Sequence, residues 1–205
     1  MNFFISNLIL GITLAAAVGP VSIETIKRGL RKGFWSAFLV GLGAALADAT
    51  YLILIYLGLA NFLTGYWIKL IIWIFGAIVL IYLGYGGIKE FKNKLNIKDK
   101  NKSERSSLLA GYLIALMSPM TFAAWFGIGG SIIGAQKLTG MAGLIIFLAL
   151  VLGVIIWFFI LSMLISFSRK FVNEKTLGYV SLIAGIILII FGLYFGYNAI
   201  SYIVG

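Results

Sequence analysis

Two prolines are the residues whose placement first suggests a binding site. Pro20 and Pro119 are the only prolines in the chain, and each lies inside a long apolar run. Proline lacks the backbone donor that a helix needs and clashes with the preceding turn. The carbonyl groups it frees must find protein, water or a bound solute in apolar surroundings. The pair therefore predicts two broken helices beside a solute site at mid-membrane depth, with an ordinary packed kink as the alternative for each.

The residues around the two prolines are similar. VGPVS at Val18–Ser22 resembles MSPMT at Met117–Thr121. Helices that are interrupted at matching positions in two halves of a chain are typical of secondary transporters. The substrate-binding or ion-binding candidates at the two breaks are Gly19, Pro20, Ser118 and Pro119.

Asp48 is an acidic residue about halfway along an apolar run, LGAALADATYLIL. A charge at that depth costs at least ~2.5–3.5 kcal/mol on membrane-insertion scales. Its neighbours one helical turn away, Ala44 and Leu52, are apolar, and the nearest cation in the sequence is Lys32. Asp48 must therefore be protonated, solvated in a cavity, or paired with another helix. Apolar surroundings favour the neutral carboxyl group, which suits a proton carrier; a structural hydrogen bond is the alternative.

Glu24 and Trp125 complete the set of candidates. Glu24 precedes Lys27 and Arg28 by three and four residues, a spacing that allows ion pairs along one helix face. Glu24 is thus either half of a salt bridge at the membrane edge or a substrate contact. Trp125 follows Pro119 closely and is retained as a site residue, whereas tryptophan in a membrane protein is by default interfacial or packed in the core.

Cysteine and histidine are both absent from the chain. Disulfides, thiol electron transfer and Cys/His metal sites are therefore excluded, as are histidine proton carriers and Ser–His catalysis. Catalysis by paired carboxylates needs two acids near one another, and within the apolar runs only Asp48 and Glu24 are acidic. We expect no enzyme activity, no cofactor and no resident metal.

The helices that position these residues are predicted from the composition of the chain, which is too apolar for a protein that folds in water. Apolar residues make up 62% of the chain and charged residues 11%, with a mean hydropathy of +1.10. Such a chain must be embedded in lipid, where helices satisfy their own backbone groups. Six runs are long enough to cross a bilayer and predict an all-α integral membrane protein. The runs are Phe3–Ile26, Phe34–Ala60, Trp67–Ile88, Leu108–Ile133, Gly140–Ser166 and Leu177–Val204.

The cations predict the orientation of these helices. The net charge is +10, yet the cations lie in short connections rather than on a folded basic face, so nucleic-acid binding is not expected. The first, third and fifth connections, at 27–32, 89–105 and 169–175, hold four, seven and three of the 16 cations, against Lys69 and Lys137 on the other side. Basic loops stay in the cytoplasm. We expect a multi-pass protein of the cell membrane with both termini outside.

The long basic connection at 89–107 divides the single transmembrane domain, 1–205, into halves at 1–88 and 108–205. FGAIVLIYLGYGG at Phe75–Gly87 resembles AGIILIIFGLYFG at Ala184–Gly196, with Gly76 aligned to Gly185. Three helices per half would place the halves in opposite orientations. Six helices arranged as two inverted three-helix repeats are the resulting fold prediction. The connection itself is interpreted as a solvated linker that sets topology or as a patch for lipid head groups.

Taken together, these residues resemble the lysine exporter (LysE/RhtB) family of amino-acid exporters. The first-half pattern reads GPVSIETIKRGLRKGFWSAFLVGLGAALAD, Gly19 to Asp48, and the second-half signature reads SPMTFAAWFG, Ser118 to Gly127. Chain length, the six runs and the long third connection also match the family. Ser118 stands where the family usually has asparagine, which puts the substrate or ion contact at that position in question.

The resemblance implies secondary export of an amino acid or similar small metabolite, driven by protons, with the lipid bilayer as surroundings. Two alternatives stay open: a cation or metal-ion exporter of a related family, and a membrane scaffold without transport. The sequence leaves open the identity of the substrate, H⁺ against Na⁺ coupling, and assembly into a homo-oligomer.

Overall fold

The structure, a computed structural model, describes residues 3–17, 19–57, 65–92, 104–125 and 141–204, and all regular structure within them is helical. A short 3-10 turn at Arg169–Phe171 joins the last two helices. The helices are α1 (Phe3–Ala16), α2 (Pro20–Lys32), α3 (Phe34–Tyr56), α4 (Tyr66–Lys92), α5 (Glu104–Leu116), α6 (Pro119–Ala124), α7 (Met141–Ser168) and α8 (Glu174–Val204).

Four of these helices are long and apolar enough to cross a membrane alone. Their spans are Phe34–Ile55, Tyr66–Lys89, Gly143–Phe171 and Lys175–Ser201. A fifth span is formed if α1 and α2, which meet at a bend of 76°, count as one broken helix. The helical membrane class is thus confirmed. The predicted run Leu108–Ile133 begins in the short apolar α5 and α6 and continues into residues 126–133, outside the described part of the chain.

The turn between α2 and α3 depends on one glycine. Gly33 has a φ of 91°, a conformation that a residue with a side chain rarely adopts. It lets α3 begin at Phe34 immediately after α2 ends at Lys32. Across this turn Arg169 Nη2 donates to the carbonyl oxygen of Arg31 at 3.0 Å. The end of α7 therefore holds the end of α2 in place.

The helices α5, α3, α7 and α1 form a row in which each packs on the next. Between α3 and α5 the contact is made by glycines. A side chain at Gly43 would meet the backbone of Leu108 and Tyr112, and one at Gly111 would meet the backbone of Val40. Because these glycines have no Cβ, the two backbones touch, which is the usual way that membrane helices gain packing energy without a hydrophobic driving force.

The helices α1 and α7 are also packed through glycines that let their backbones touch. A side chain at Gly11 would meet the backbone of Leu150, and a side chain at Gly153 would meet the backbone of Leu8 and Ile12. Both pairs thus consist of two helices that each contribute one glycine to a backbone contact. Small residues precede Asp48 on α3, and Gly43 among them provides close helix packing.

The helices α4 and α8 form the most extensive helix pair. Gly84 and Gly185 face each other, so a Cβ on either would lie 2.6 Å from the carbonyl oxygen of the other. Gly76 instead packs against Met117. Gly76 and Gly185, which the sequence alignment pairs, therefore have different neighbours.

A cluster of small and aromatic residues fills the middle of the row. It joins α3, α5 and α7 and will be called the alanine cluster. Its members are Ala44, Ala45, Ala47, Ala115, Val154 and Phe158.

Substitution of Gly43 by alanine tests the backbone contact between α3 and α5. A methyl group there would collide with the α5 backbone, so Gly43→Ala should destabilise the protein by ~1–3 kcal/mol. The measurement is thermal unfolding in detergent micelles. Gly86 on α4 has open space around it, and Gly86→Ala is the matched control, expected to be neutral or slightly stabilising. Equal effects of the two substitutions would contradict the packing account.

Candidate functional site

The first helix break lies where α1 ends at Ala16 and α2 begins at Pro20. Pro20 occupies the first helical position, where its missing donor would be unused in any case, and Gly19 precedes it as the N-cap. The hydroxyl group of Ser22 donates to the carbonyl oxygen of Ala17 at 3.4 Å. A carbonyl group freed by the break is thus given a partner from the next helix. Pro20 starts a new helix rather than kinking a continuous one.

The second break has the same form. The helix α5 ends at Leu116 and α6 begins at Pro119. The carbonyl oxygen of Leu116 accepts a hydrogen bond from the hydroxyl group of Tyr51 on α3. Ser118 is buried, and its Oγ accepts from the backbone N–H of Thr121 at 3.3 Å. Side chains from two helices therefore satisfy the backbone groups at this break.

Both breaks border the alanine cluster. Ala15 and Val21, on the two sides of the first break, pack against it, and so does Leu116 at the second break. The structure therefore brings the two proline motifs to one region between the helices. Trp157 also packs against this cluster, and its Nε1 is buried without a hydrogen-bond partner in the described ranges.

Asp48 is paired through a tertiary contact. It is buried on α3 directly after the alanine cluster residues of that helix. The indole Nε1 of Trp125 donates to Asp48 Oδ1 at 2.6 Å. Trp125, which follows α6 and is also buried, therefore connects the second break to the acid of α3. The sequence left several alternatives for Asp48, and the structure shows one of them, a hydrogen bond to a residue of another segment.

Glu24 belongs to a separate polar cluster further along α2. It is fully buried and forms ion pairs with Lys27 Nζ at 2.8 Å and with Arg28 Nε at 2.6 Å. Arg28 Nη1 also donates to the hydroxyl groups of Ser106 and Ser107 on α5, at 3.1 and 3.0 Å. The salt bridge expected from the spacing is present.

A metal site is not indicated by the acids of the described ranges. No group of three or more Asp, Glu, His or Cys residues there could hold an ion. Each of the two buried acids, Asp48 and Glu24, has a donor or cation partner of its own.

The sequence profile of the LysE type translocators matches residues 12–199. The chain belongs to the LysE type translocator family. A relative from Bacillus subtilis, "Putative amino acid efflux protein YcgF", is 37% identical over 209 residues, with full coverage of both chains. A relative from Pseudomonas aeruginosa, "Chemotactic transduction protein ChpE", is 28% identical over 173 residues, with 83% of this chain and 85% of that protein covered. No solved structure matches the chain at a significant level.

Ser118 departs from the asparagine that is usual in this family, and its geometry explains how serine can serve there. The side chain caps α6 by accepting from Thr121. Serine and asparagine are both strongly preferred N-cap residues because each offers a side-chain oxygen to the same backbone donors. The substitution therefore preserves the cap. It removes an amide group, which is the group that could have donated to a solute.

Tyr51 and Phe122 are site residues that the sequence analysis missed. Tyr51 lies one helical turn after Asp48, and its ring packs edge-on against Phe122 with 5.8 Å between the ring centroids. Phe122 in turn lies three residues after Pro119. Helical spacing from Asp48 and from Pro119 would have indicated both residues, since side chains three or four positions apart share a helix face.

The hydrogen bond between Trp125 and Asp48 can be removed without removing the ring. Trp125→Phe keeps an aromatic side chain but leaves the buried carboxyl oxygen without its donor, so it should destabilise the protein by about 1–3 kcal/mol. Thermal unfolding in detergent measures the change. Trp67 is exposed on α4, which makes Trp67→Phe the matched control. A stability loss no larger than that of the control would show that the bond contributes nothing.

Proposed function

We propose that the protein is a secondary transporter that exports amino acids or similar small metabolites from the cytoplasm, and that protons drive the export. The observation that carries this proposal is the placement of both helix breaks against the alanine cluster, with Asp48 hydrogen-bonded to the residue that follows the second break. Interrupted helices with an ionisable residue between them are the usual construction of a transport site. The substrate and ion contacts would be Gly19, Pro20, Glu24, Asp48, Ser118, Pro119 and Trp125.

The substrate class rests on the full-length relative from Bacillus subtilis, whose printed name is that of an amino acid efflux protein. The spare indole donor of Trp157 beside the alanine cluster offers a hydrogen bond that a polar solute could accept. The relative from Pseudomonas aeruginosa carries a name from chemotactic transduction. That name favours, as the second candidate, a membrane role without solute flux.

Asp48 is the proposed proton carrier. Its partner is a neutral indole, so gaining or losing a proton does not break an ion pair. Glu24, by contrast, is paired with two cations, so a change of its charge would break two ion pairs. Alternating exposure of Asp48 to the two sides would let it load a proton on one side and release it on the other.

We also propose six membrane spans arranged as two inverted halves, 1–88 and 108–205, joined by the basic connection 89–107. The glycine contacts support this arrangement. If α1 corresponds to α5 and α3 to α7, the contact between α3 and α5 is the counterpart of the contact between α7 and α1, residue for residue. The equivalent residues, first half before second, are Leu8 with Leu108, Gly11 with Gly111, Ile12 with Tyr112, Val40 with Leu150 and Gly43 with Gly153.

An export screen tests the proposed function. Cells that overproduce the chain should release at least one amino acid faster than cells that overproduce Asp48→Asn. Proteoliposomes should then accumulate that amino acid when a pH gradient is imposed. Asp48→Asn keeps the shape and hydrogen bonding of the side chain but removes its titration, so gradient-driven accumulation should be lost while counterflow exchange survives.

Thermal stability of Asp48→Asn is the control, because a misfolded variant would lose both activities. Full gradient-driven transport by Asp48→Asn would show that Asp48 is structural and that coupling occurs elsewhere. A chain that moves no solute under any condition would support the membrane role without flux.

The orientation proposed from the cations has both termini outside and the basic connections in the cytoplasm. Because the chain has no cysteine, single-cysteine variants can be labelled without altering the rest of the protein. A cysteine at Ser103, which lies outside the described residues, should be protected from impermeant reagents in intact cells. Cysteines added at either terminus should react. Protection of an N-terminal cysteine would reverse the topology.

A further inference from the structure

The helix α2 turns its polar side chains towards the protein. Ser22, Glu24, Thr25 and Lys27 are buried, whereas Ile26 on the other face is exposed. Polar groups inside a membrane bundle are costly and face either other helices or a solute path. Thr25 satisfies its own hydroxyl on the preceding turn, where it donates to the carbonyl oxygen of Val21 at 2.8 Å. The charged groups Glu24, Lys27 and Arg28 pair with one another at three- and four-residue spacing along the helix.

The charges around Glu24 do not balance. One carboxylate faces two buried or nearly buried cations, Lys27 and Arg28. Within the described side chains no second carboxylate lies within ion-pair distance of either cation. A buried charge without a counter-charge is expensive. Among the described side chains the cluster therefore has one cation more than it has carboxylates, so one cation is available to the carboxylate of a solute.

The hydrogen bonds of the cluster are also incomplete. Glu24 Oε2 is buried with Lys27 Nζ 2.8 Å away as its partner, and no described group donates to the second lone pair of this oxygen. Arg28 uses Nε for Glu24 and Nη1 for the two serine hydroxyls. Its Nη2 makes no hydrogen bond within the described part of the chain. The cluster thus offers a spare carboxylate acceptor beside spare cationic donors.

We propose that Glu24, Lys27 and Arg28 recognise the zwitterionic head group of an amino acid that enters from the cytoplasm. The two cations would bind its carboxylate, and Glu24 Oε2 would accept from its ammonium group. Arg28 would donate through its remaining nitrogen, Nη2, and a hydrogen bond from a guanidinium group to a carboxylate is strengthened by the opposite charges. The inference rests on the proposed export of amino acids and adds the groups that select their shared chemistry.

The location favours a small solute over a lipid. Glu24 is fully buried and Lys27 nearly so, whereas a site for lipid head groups would be open to the side of the bundle. Arg28 reaches Ser106 and Ser107 on α5, which leads into the second helix break at Leu116. The cluster therefore lies between the basic end of α2 and the region of the proposed transport site.

Binding measurements on the purified full chain test the head-group site. Each of the twenty amino acids is added in turn, and the one that binds is compared with its amide, its N-acetyl derivative and inorganic phosphate. The amide lacks the carboxylate and the N-acetyl derivative lacks the ammonium group, so each should bind ~10-fold more weakly or worse. At equal concentration phosphate should not displace the amino acid, because it can bind the two cations but brings no ammonium group to Glu24.

Substitutions of Lys27 provide a second test of the head-group site. Lys27→Gln should weaken binding of the amino acid by a similar factor while Lys27→Arg retains most of it. Lys175 is exposed at the start of α8, and Lys175→Gln, the matched control, should bind as the wild type does. If Lys27→Gln fails to fold, the comparison of ligands on the wild-type protein still decides the question.

The results of these measurements distinguish failure of the head-group site from failure of the proposed amino-acid export. An amino acid that binds no better than its amide and N-acetyl derivative, or equally well to Lys27→Gln, would overturn the head-group site and leave export intact. Competition by phosphate would reduce the cluster to a general anion site and overturn the role of Glu24. Failure of all twenty amino acids to bind or to be exported would overturn both proposals.

Discussion

A broken helix in an apolar surrounding leaves backbone groups that no water can satisfy, and the rest of the site follows from this constraint. At the second break Tyr51 donates to the carbonyl oxygen of Leu116, and Ser118 accepts from Thr121. At the first break Ser22 reaches the carbonyl oxygen of Ala17. Each of these polar side chains is needed for folding before it is available for function. The residues that allow the breaks are therefore also the residues that line the region between them.

The two buried acids are held in different electrostatic surroundings. Asp48 accepts from a neutral indole, whereas Glu24 is surrounded by cations and hydroxyl groups. A change of charge at Asp48 would break no ion pair, whereas the carboxylate of Glu24 holds two cations of its own helix. The proposed roles in proton transfer and ligand recognition therefore fall to separate places in the same bundle.

The sequence predicted what depends on residue type and local spacing. The two prolines predicted the breaks, and the spacing of Glu24 predicted its ion pairs with Lys27 and Arg28. The isolation of Asp48 left a protonated carboxyl group, a solvated cavity and a partner on another helix as alternatives. Spacing along one helix cannot say which residue of a distant segment will contact it, so the bond to Trp125 was not predicted. The contacts of Arg28 with Ser106 and Ser107 depend on helix packing for the same reason. The glycine register between the third helices of the two halves was also not predicted, because apolar helices offer many similar glycine spacings and only the crossing geometry selects among them.

The glycine contacts have a mechanical consequence. Where two helix backbones touch, a shift of one along the other brings a side chain into the space that the partner's backbone occupies. The pairs α3 with α5 and α1 with α7 therefore resist sliding and act as rigid bodies. The breaks that precede α2 and α6 lack this restraint, because fewer backbone hydrogen bonds cross them. Among the described helices, these two breaks are therefore where bending meets the least resistance.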